Sequence, residues 1–344
     1  MADLVSHHLF GSGTRSVLPA SAQRPVDKRP ACYYWGCQGP DPLFYRKIYL
    51  GSPLHSLGNR MHSQHTGRLF AALARTVHLL SDEAGEMAAA YFYGFLCHYA
   101  LDSTIHPYVY CREEEFCSEN ARLNPSAVHS SIESDIDCLV YERAYHRPVT
   151  EFEPERHYTL APEEKAVLSV VLHAVLLDVY GEDIPVRELR RSFDEMLAWE
   201  CFLYSDSRAV YRGARTLETL AGRGALLTGH MKVEPPAWDA LNLSHRPWHN
   251  PWTPGEERRD SVPELFALAR IRAASLAGAV RPGAYSCRRS CRTVRRAVRH
   301  RLAAASSLHR AVRQRQPEEK TGSEETIRIP KASFCGRANG AFSR

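Results

Sequence analysis

Two short stretches of this chain have the residue types and spacing of a metal site: His98-Tyr-Ala-Leu-Asp102-Ser-Thr-Ile-His106 and His129-Ser-Ser-Ile-Glu133. Each sets a histidine and a carboxylate four residues apart. On a helix such side chains share a face one turn apart, close enough to grip one ion. Imidazole with carboxylate is a donor set that suits Zn²⁺. His106 adds a ligand one turn beyond Asp102. Two in-phase pairs so close in the chain point to more than one metal.

The surroundings strengthen this reading. His98 ends the run Ala88-Ala-Ala-Tyr-Phe-Tyr-Gly-Phe-Leu-Cys-His98, apolar almost all round. A helix of that kind is buried. An interior histidine and aspartate without partners cost several kcal/mol, a cost that a metal removes. Asp135 and Asp137 follow Glu133 at short spacing; they read either as hydrogen-bond partners of the histidine ligands or as surface acids.

The elements that must position these residues are mostly helices. The chain has 344 residues, 44% hydrophobic and 24% charged, which is ordinary globular composition. Residues 1–60, rich in Pro and Gly, read as loops and short turns, with a rigid turn around Asp41. Helical spacing predicts helices over about 62–80 and 82–101, then an acidic, cysteine-bearing loop, then a helix from Pro125 to about Tyr145. Further helices are expected over 162–177, opened by Pro162-Glu-Glu, and over 185–198, 199–226 and 261–280. Residues 227–258 hold three tryptophans with little periodicity. No clear alternating strand and no internal repeat occur.

Composition and charge bound the rest. Ten cysteines lack zinc-ribbon spacing; the nearest pairs, Cys32/Cys37 and Cys287/Cys291, read as reduced thiols or small core residues, so zinc would rest on His, Asp and Glu. The N-terminus has neither a basic n-region nor a long apolar run, and no stretch is long enough to span a membrane. The expected compartment is the cytoplasm. Residues 281–344 carry 16 Lys and Arg against 4 Asp and Glu, a net +12, so the whole-chain +5 leaves −7 for residues 1–280. The expected organisation is a domain over 1–280 and a basic, Arg-rich tail over 281–344. The tail reads as a basic amphipathic helix for an anionic membrane surface or nucleic acid, or as a solvated, disordered segment. No signal marks an obligate protein partner.

Further motifs join the two helical pairs. They are His7 in Ser-His-His-Leu-Phe-Gly, Asp41 in Gln-Gly-Pro-Asp-Pro-Leu-Phe-Tyr, and His62 in Gly-Asn-Arg-Met-His. In this order, along about residues 1–280, they resemble the zinc-dependent phospholipase C family, whose fold is shared with the secreted single-strand-specific zinc nucleases. The likeness is greatest to signal-less bacterial members, in which the Gln-Gly-Pro-Asp and Leu-Asp-Ser-x-x-His-Pro phrases recur. The resemblance implies an all-α, multi-helix bundle with a zinc cluster between helices. It also implies the ligand sets: Asp41, His62, His98 and Asp102 for one zinc, and His106, His129 and Glu133 for a second. A third would take His7, a shared oxygen of Asp102, and the N-terminal amine and carbonyl.

At that third position the chain departs from the family. The secreted relatives use a tryptophan exposed by cleavage, whereas here removal of Met1 would free Ala2 as the terminal ligand. A two-zinc site with a partial third position is the alternative. Of the adjacent His7 and His8, His7 is the one whose place before Phe-Gly matches the signal-less relatives. His65, three residues from His62, is read as solvated or as a neighbour of the ligands.

Clustered zinc suits phosphate-ester hydrolysis, because it lowers the pKa of water towards neutrality and offsets phosphate charge. By resemblance, Asp41 orients or deprotonates that water. The expected substrate is a phospholipid headgroup or another phosphate ester. The alternatives are a nuclease on the same scaffold and a non-catalytic, zinc-stabilised binding protein.

Overall fold

The computed structural model describes residues 4–48, 50–80, 82–204, 208–220, 228–231, 235–253 and 255–279. The segment 281–344, expected to be a basic tail, lies outside the described residues.

The described chain is all-α apart from one two-residue strand pair. Five helices precede residue 64: α1 (Leu4–Thr14), α2 (Ala20–Lys28), α3 (Pro30–Cys37), α4 (Pro42–Tyr45) and α5 (Pro53–Ser63). Residues 1–60 are therefore not loops and short turns. Pro30, Pro42 and Pro53 each stand at a first helical position. Proline there is preorganised for a helix and forfeits no intrahelical bond, so it opens these helices and does not break them. Next come α6 (Thr66–Leu79), α7 (Asp82–Glu119), α8 (Pro125–Tyr145), α9 (Pro154–Tyr158), α10 (Pro162–Val175), α11 (Val186–Leu203), α12 (Arg208–Leu220) and α13 (Val262–Ala279). Strands β1 (Trp248–His249) and β2 (Glu257–Arg258) pair antiparallel.

The 38-residue helix α7 is the axis, and α1, α2, α3, α6, α8, α10 and α13 all pack on it. Its first half is buried all round through Tyr91, Phe92, Tyr93, Phe95 and Leu96, as expected of so apolar a run. The helix does not stop near Leu101. It continues through Pro107 for five further turns, because Tyr108, Val109, Cys111 and Arg112 are buried against the segments around it. Tyr108 donates to the Ala240 carbonyl, and Arg112 pairs with Glu115 and reaches Asn242. These tertiary contacts outweigh the bond that Pro107 removes and the negative charge of three glutamates near the helix C-terminus.

Backbone-to-backbone packing sets α3 against α7. A Cβ on Gly36 would come within 2.2 Å of the Tyr91 carbonyl oxygen, and one on Gly94 within 2.1 Å of the Tyr33 carbonyl oxygen. Only glycine permits that approach. It carries the turn after α3, Gln38 to Asp41, onto the flank of α7 that bears His98.

Candidate metal centre

Five elements bring eight side chains together at the middle of α7. His98, Asp102 and His106 project from one face of that helix at intervals of four. Helix α8 adds His129 and Glu133, α5 adds His62, α1 adds His7, and the turn after α3 adds Asp41.

Asp102 is the hub, 3.4 Å from His106 Nε2 and 3.6 Å from His7 Nε2 through Oδ1, and 3.7 Å from His62 Nε2 and 3.8 Å from His98 Nε2 through Oδ2. His62 Nε2 also lies 3.2 Å from Asp41 Oδ1. Glu133 Oε1 lies 3.1 Å from His106 Nε2 and 3.2 Å from His129 Nε2. Three groups have ligand atoms within 4.8 Å of one another: His7, Asp41 and His98; His62, His98 and Asp102; and His106, His129 and Glu133. The first two share His98. The third shares no member with them and is linked to them by Asp102.

Local structure aims each imidazole. His62 Nδ1 is 2.9 Å from the Gly58 carbonyl, one helical turn back. His98 Nδ1 is 3.2 Å from the Cys37 carbonyl at the end of α3. His129 Nδ1 is 2.8 Å from Glu113 Oε2 on α7. In each ring a hydrogen bond at Nδ1 turns Nε2 towards the centre, the usual way of fixing a metal-binding imidazole. Gly39 has φ +52°, and a Cβ there would meet His98 Cδ2 at 2.3 Å. That position needs glycine both for its left-handed backbone and for the space His98 occupies.

His7 is aimed from the far end of α8. Asp137 accepts the Val5 N–H and the Ser6 N–H, each at 2.7 Å, and the Tyr204 hydroxyl at 2.9 Å. A carboxylate on exposed amide groups at a helix start satisfies donors that the helix itself cannot. It fixes the first turn of α1, and with it the His7 ring, which stacks on that of His98 at 4.5 Å. Of the two acids that follow Glu133, Asp137 holds α1, and Asp135 accepts the Trp238 indole N–H at 2.7 Å.

The centre is short of hydrogen-bond partners. Both ring nitrogens of His7, both carboxylate oxygens of Asp41, and Asp102 Oδ1 are buried without one. Each such orphan costs about 1–3 kcal/mol, and more where it is charged. A divalent cation satisfies oxygen and imidazole nitrogen together, so the residues present fit the borderline, thiolate-free set zinc accepts.

Charge is held here against burial. Burial alone would lower His62, yet Asp41 and Asp102 hold it up to about 9; burial likewise opposes the rise of His129, which Glu133 and Glu113 hold up to about 9. His98 goes the other way, pushed by burial down to about 3, and stands neutral with a lone pair available. Burial would raise Asp102, but His106, His98, His7 and His62 keep it well below the usual carboxylate range.

All eight sequence-derived ligands in the described residues therefore converge; Ala2 lies outside them. His8 points elsewhere, into a cluster with Tyr34 at 4.3 Å and His157 at 4.4 Å. His65 lies off the centre at the start of α6, 6.2 Å from Tyr180. Sequence reasoning missed Glu113. Its signal was present: it falls seven residues, or two turns, after His106 on the same face, but only if α7 is read past Leu101.

The profile of the zinc dependent phospholipase C family matches residues 6–171. No curated protein and no solved structure matches the chain. The matched span contains every one of the eight converging side chains and both helices that carry the His-x-x-x-acid pairs. Through residues 6–171, this chain is similar to the zinc-dependent phospholipase C family.

Proposed function

We propose that the protein hydrolyses phosphate esters with zinc, as a phospholipase C-like enzyme. The observation that carries this reading is the hub at Asp102, one carboxylate within 3.8 Å of four imidazoles drawn from three helices. A single structural metal has no use for so many donors; a multi-ion centre does.

Asp41, His62, His98 and Asp102 would hold one ion and His106, His129 and Glu133 a second, with His7 at the margin of the first group. When bound, zinc supplies Lewis acidity that brings water towards neutral pKa and balances the charge on phosphate oxygens. The protein's own residues do the rest. Asp41, buried and with neither oxygen hydrogen-bonded, accepts a proton from the attacking water or orients it towards phosphorus. Gly58, Cys37 and Glu113 keep three Nε2 atoms directed inward, so no rotamer search accompanies binding. The cleft beside the centre, about 520 Å³, admits a substrate the size of a headgroup ester.

The test pairs metal analysis of the purified protein with turnover of p-nitrophenyl phosphorylcholine and of single-stranded DNA. The expected result is two or three zinc ions per chain and zinc-dependent release of p-nitrophenol, with Asp41→Asn losing turnover together with part of the metal. Zinc-replete protein inert on every phosphate ester would overturn the reading. Faster cleavage of DNA would move it to the nuclease alternative.

A further inference from the structure

The mouth of the cleft carries an aromatic pair that the metal centre does not use. Trp252 is 61% exposed, and its ring lies edge-on to that of Tyr110 at 5.2 Å. The Tyr110 ring in turn is 4.7 Å from that of His129 and 5.9 Å from that of His106. An unbroken line of rings thus leads from the second ligand group to solvent.

The backbone beneath Trp252 is tied down although its ring is bare. Asn250 accepts the Trp252 N–H through Oδ1 at 3.0 Å and the Thr253 N–H through its carbonyl at 3.0 Å. Just before it, β1 pairs with β2, and buried Trp248 packs on Tyr108 of α7 at 5.6 Å. A large aromatic left in water on an anchored turn loses little entropy on binding. This turn lies beyond residues 6–171, so the pair joins a family element to one outside the match.

The cleft lining is as informative for what it lacks. Among the described residues, apart from the centre's ligands, the side chains lining it carry no charge; Phe44, Phe70, Phe95 and Tyr99 contribute its aromatic surface. A nucleic acid strand brings a phosphate with every nucleotide, and proteins hold such strands with Lys and Arg, which this lining does not supply.

We infer that Tyr110 and Trp252 clamp an uncharged apolar or aryl substituent of a phosphate ester, so that this cleft chooses substrates by ring contact and not by charge. The inference rests on the hydrolase reading, and its test separates the two. Phenylphosphonate and methylphosphonate present the same anionic head, resist hydrolysis and differ only in the substituent. Calorimetry on the zinc-loaded protein is expected to show phenylphosphonate binding about 3- to 10-fold tighter, the range of one aromatic contact. Trp252→Ala should bring the two affinities close to equal, and Tyr110→Leu should do likewise.

In turnover, bis(p-nitrophenyl) phosphate and methyl p-nitrophenyl phosphate share a leaving group. The first is expected to have the higher kcat/KM, with Trp252→Ala raising its KM and leaving kcat near wild type. An unchanged ratio in Trp252→Ala, or an oligonucleotide turned over faster than the diaryl ester, overturns the clamp. Selective phosphonate binding without turnover of any ester upholds the clamp and defeats the hydrolase reading. Neither binding nor turnover defeats both.

Discussion

The two halves of the candidate metal centre are built differently. His106, His129 and Glu133 come from two neighbouring helices, α7 and α8, and two of the three form an i,i+4 pair. The other half, His7, Asp41, His62, His98 and the hub Asp102, draws on α1, the turn after α3, α5 and α7. The imidazoles of the first half are partly exposed, His106 at 19% and His129 at 11%; in the other half His7 and His98 are at 0% and 3%, and only His62, at 21%, is open to the cleft. A site spanning two packed helices needs only their register to be right. A site assembled from four elements needs the whole core, and all its groups but His62 are buried before any ion arrives. The first half is a local product of helical spacing and the second a product of the fold.

Asp102 is where that contrast can be broken outright. Asp102→Asn removes an anionic oxygen from four imidazoles at once, so it is expected to strip metal from both halves and reduce turnover to background. Metal analysis and a phosphodiester assay check this; full metal retention would show that the two halves do not meet at Asp102.

Glu133→Gln should act on one half only. Zinc content is expected to fall by part of its total, with His62, His98 and Asp41 still loaded, and Tm should drop modestly. Loss of all metal would mean that the halves bind as one unit.

A smaller effect is expected from Glu113→Gln, which leaves the ligands intact but loosens His129. Removal of such an outer carboxylate weakens metal affinity by about 10- to 100-fold. Competition with a chelator measures it, and an unchanged affinity would remove Glu113 from the centre.

The smallest effect is on the metal-free protein. Against burial, neighbouring carboxylates hold both His62 and His129 up at about 9. An imidazole raised above its ordinary value near 6.5 stabilises the fold fully below about pH 6.5, and that contribution is lost as pH rises through about 9. The metal-free Tm should therefore decline across this window. Near pH 7.5 zinc uptake should release about two protons, read from the buffer dependence of binding heat. A metal-free Tm that rises from pH 6.5 to 9 would contradict these ion pairs in both halves.

The parts of the centre legible in the sequence were those whose neighbours in space are neighbours in the chain. His98 with Asp102 and His129 with Glu133 follow from a period of 3.6 alone. His7, Asp41 and His62 have no such period, and only their order along the chain, matched to a family, tied them to the rest. Residues 1–60 were misread because Pro at a helix start and Pro in a loop look alike without the partner that the helix packs on. The helix over 102–119 was hidden for a related reason. Pro107 and the glutamates near its C-terminal end argue locally against a helix there, and burial of Tyr108, Val109 and Arg112 decides the matter. Glu113 and Tyr110 went unread with it.

By itself the sequence determined the helical class, the donor chemistry and the two i,i+4 pairs, because residue type and period are properties of a chain segment. Only tertiary structure decided that Asp102 stands among four imidazoles, that Asp137 anchors α1, and that Trp252 overhangs the cleft. Those outcomes depend on how closely α3 approaches α7 through Gly36 and Gly94, and on which segments cover the far half of α7. Distance between remote residues is set by packing, and no spacing along the chain encodes it.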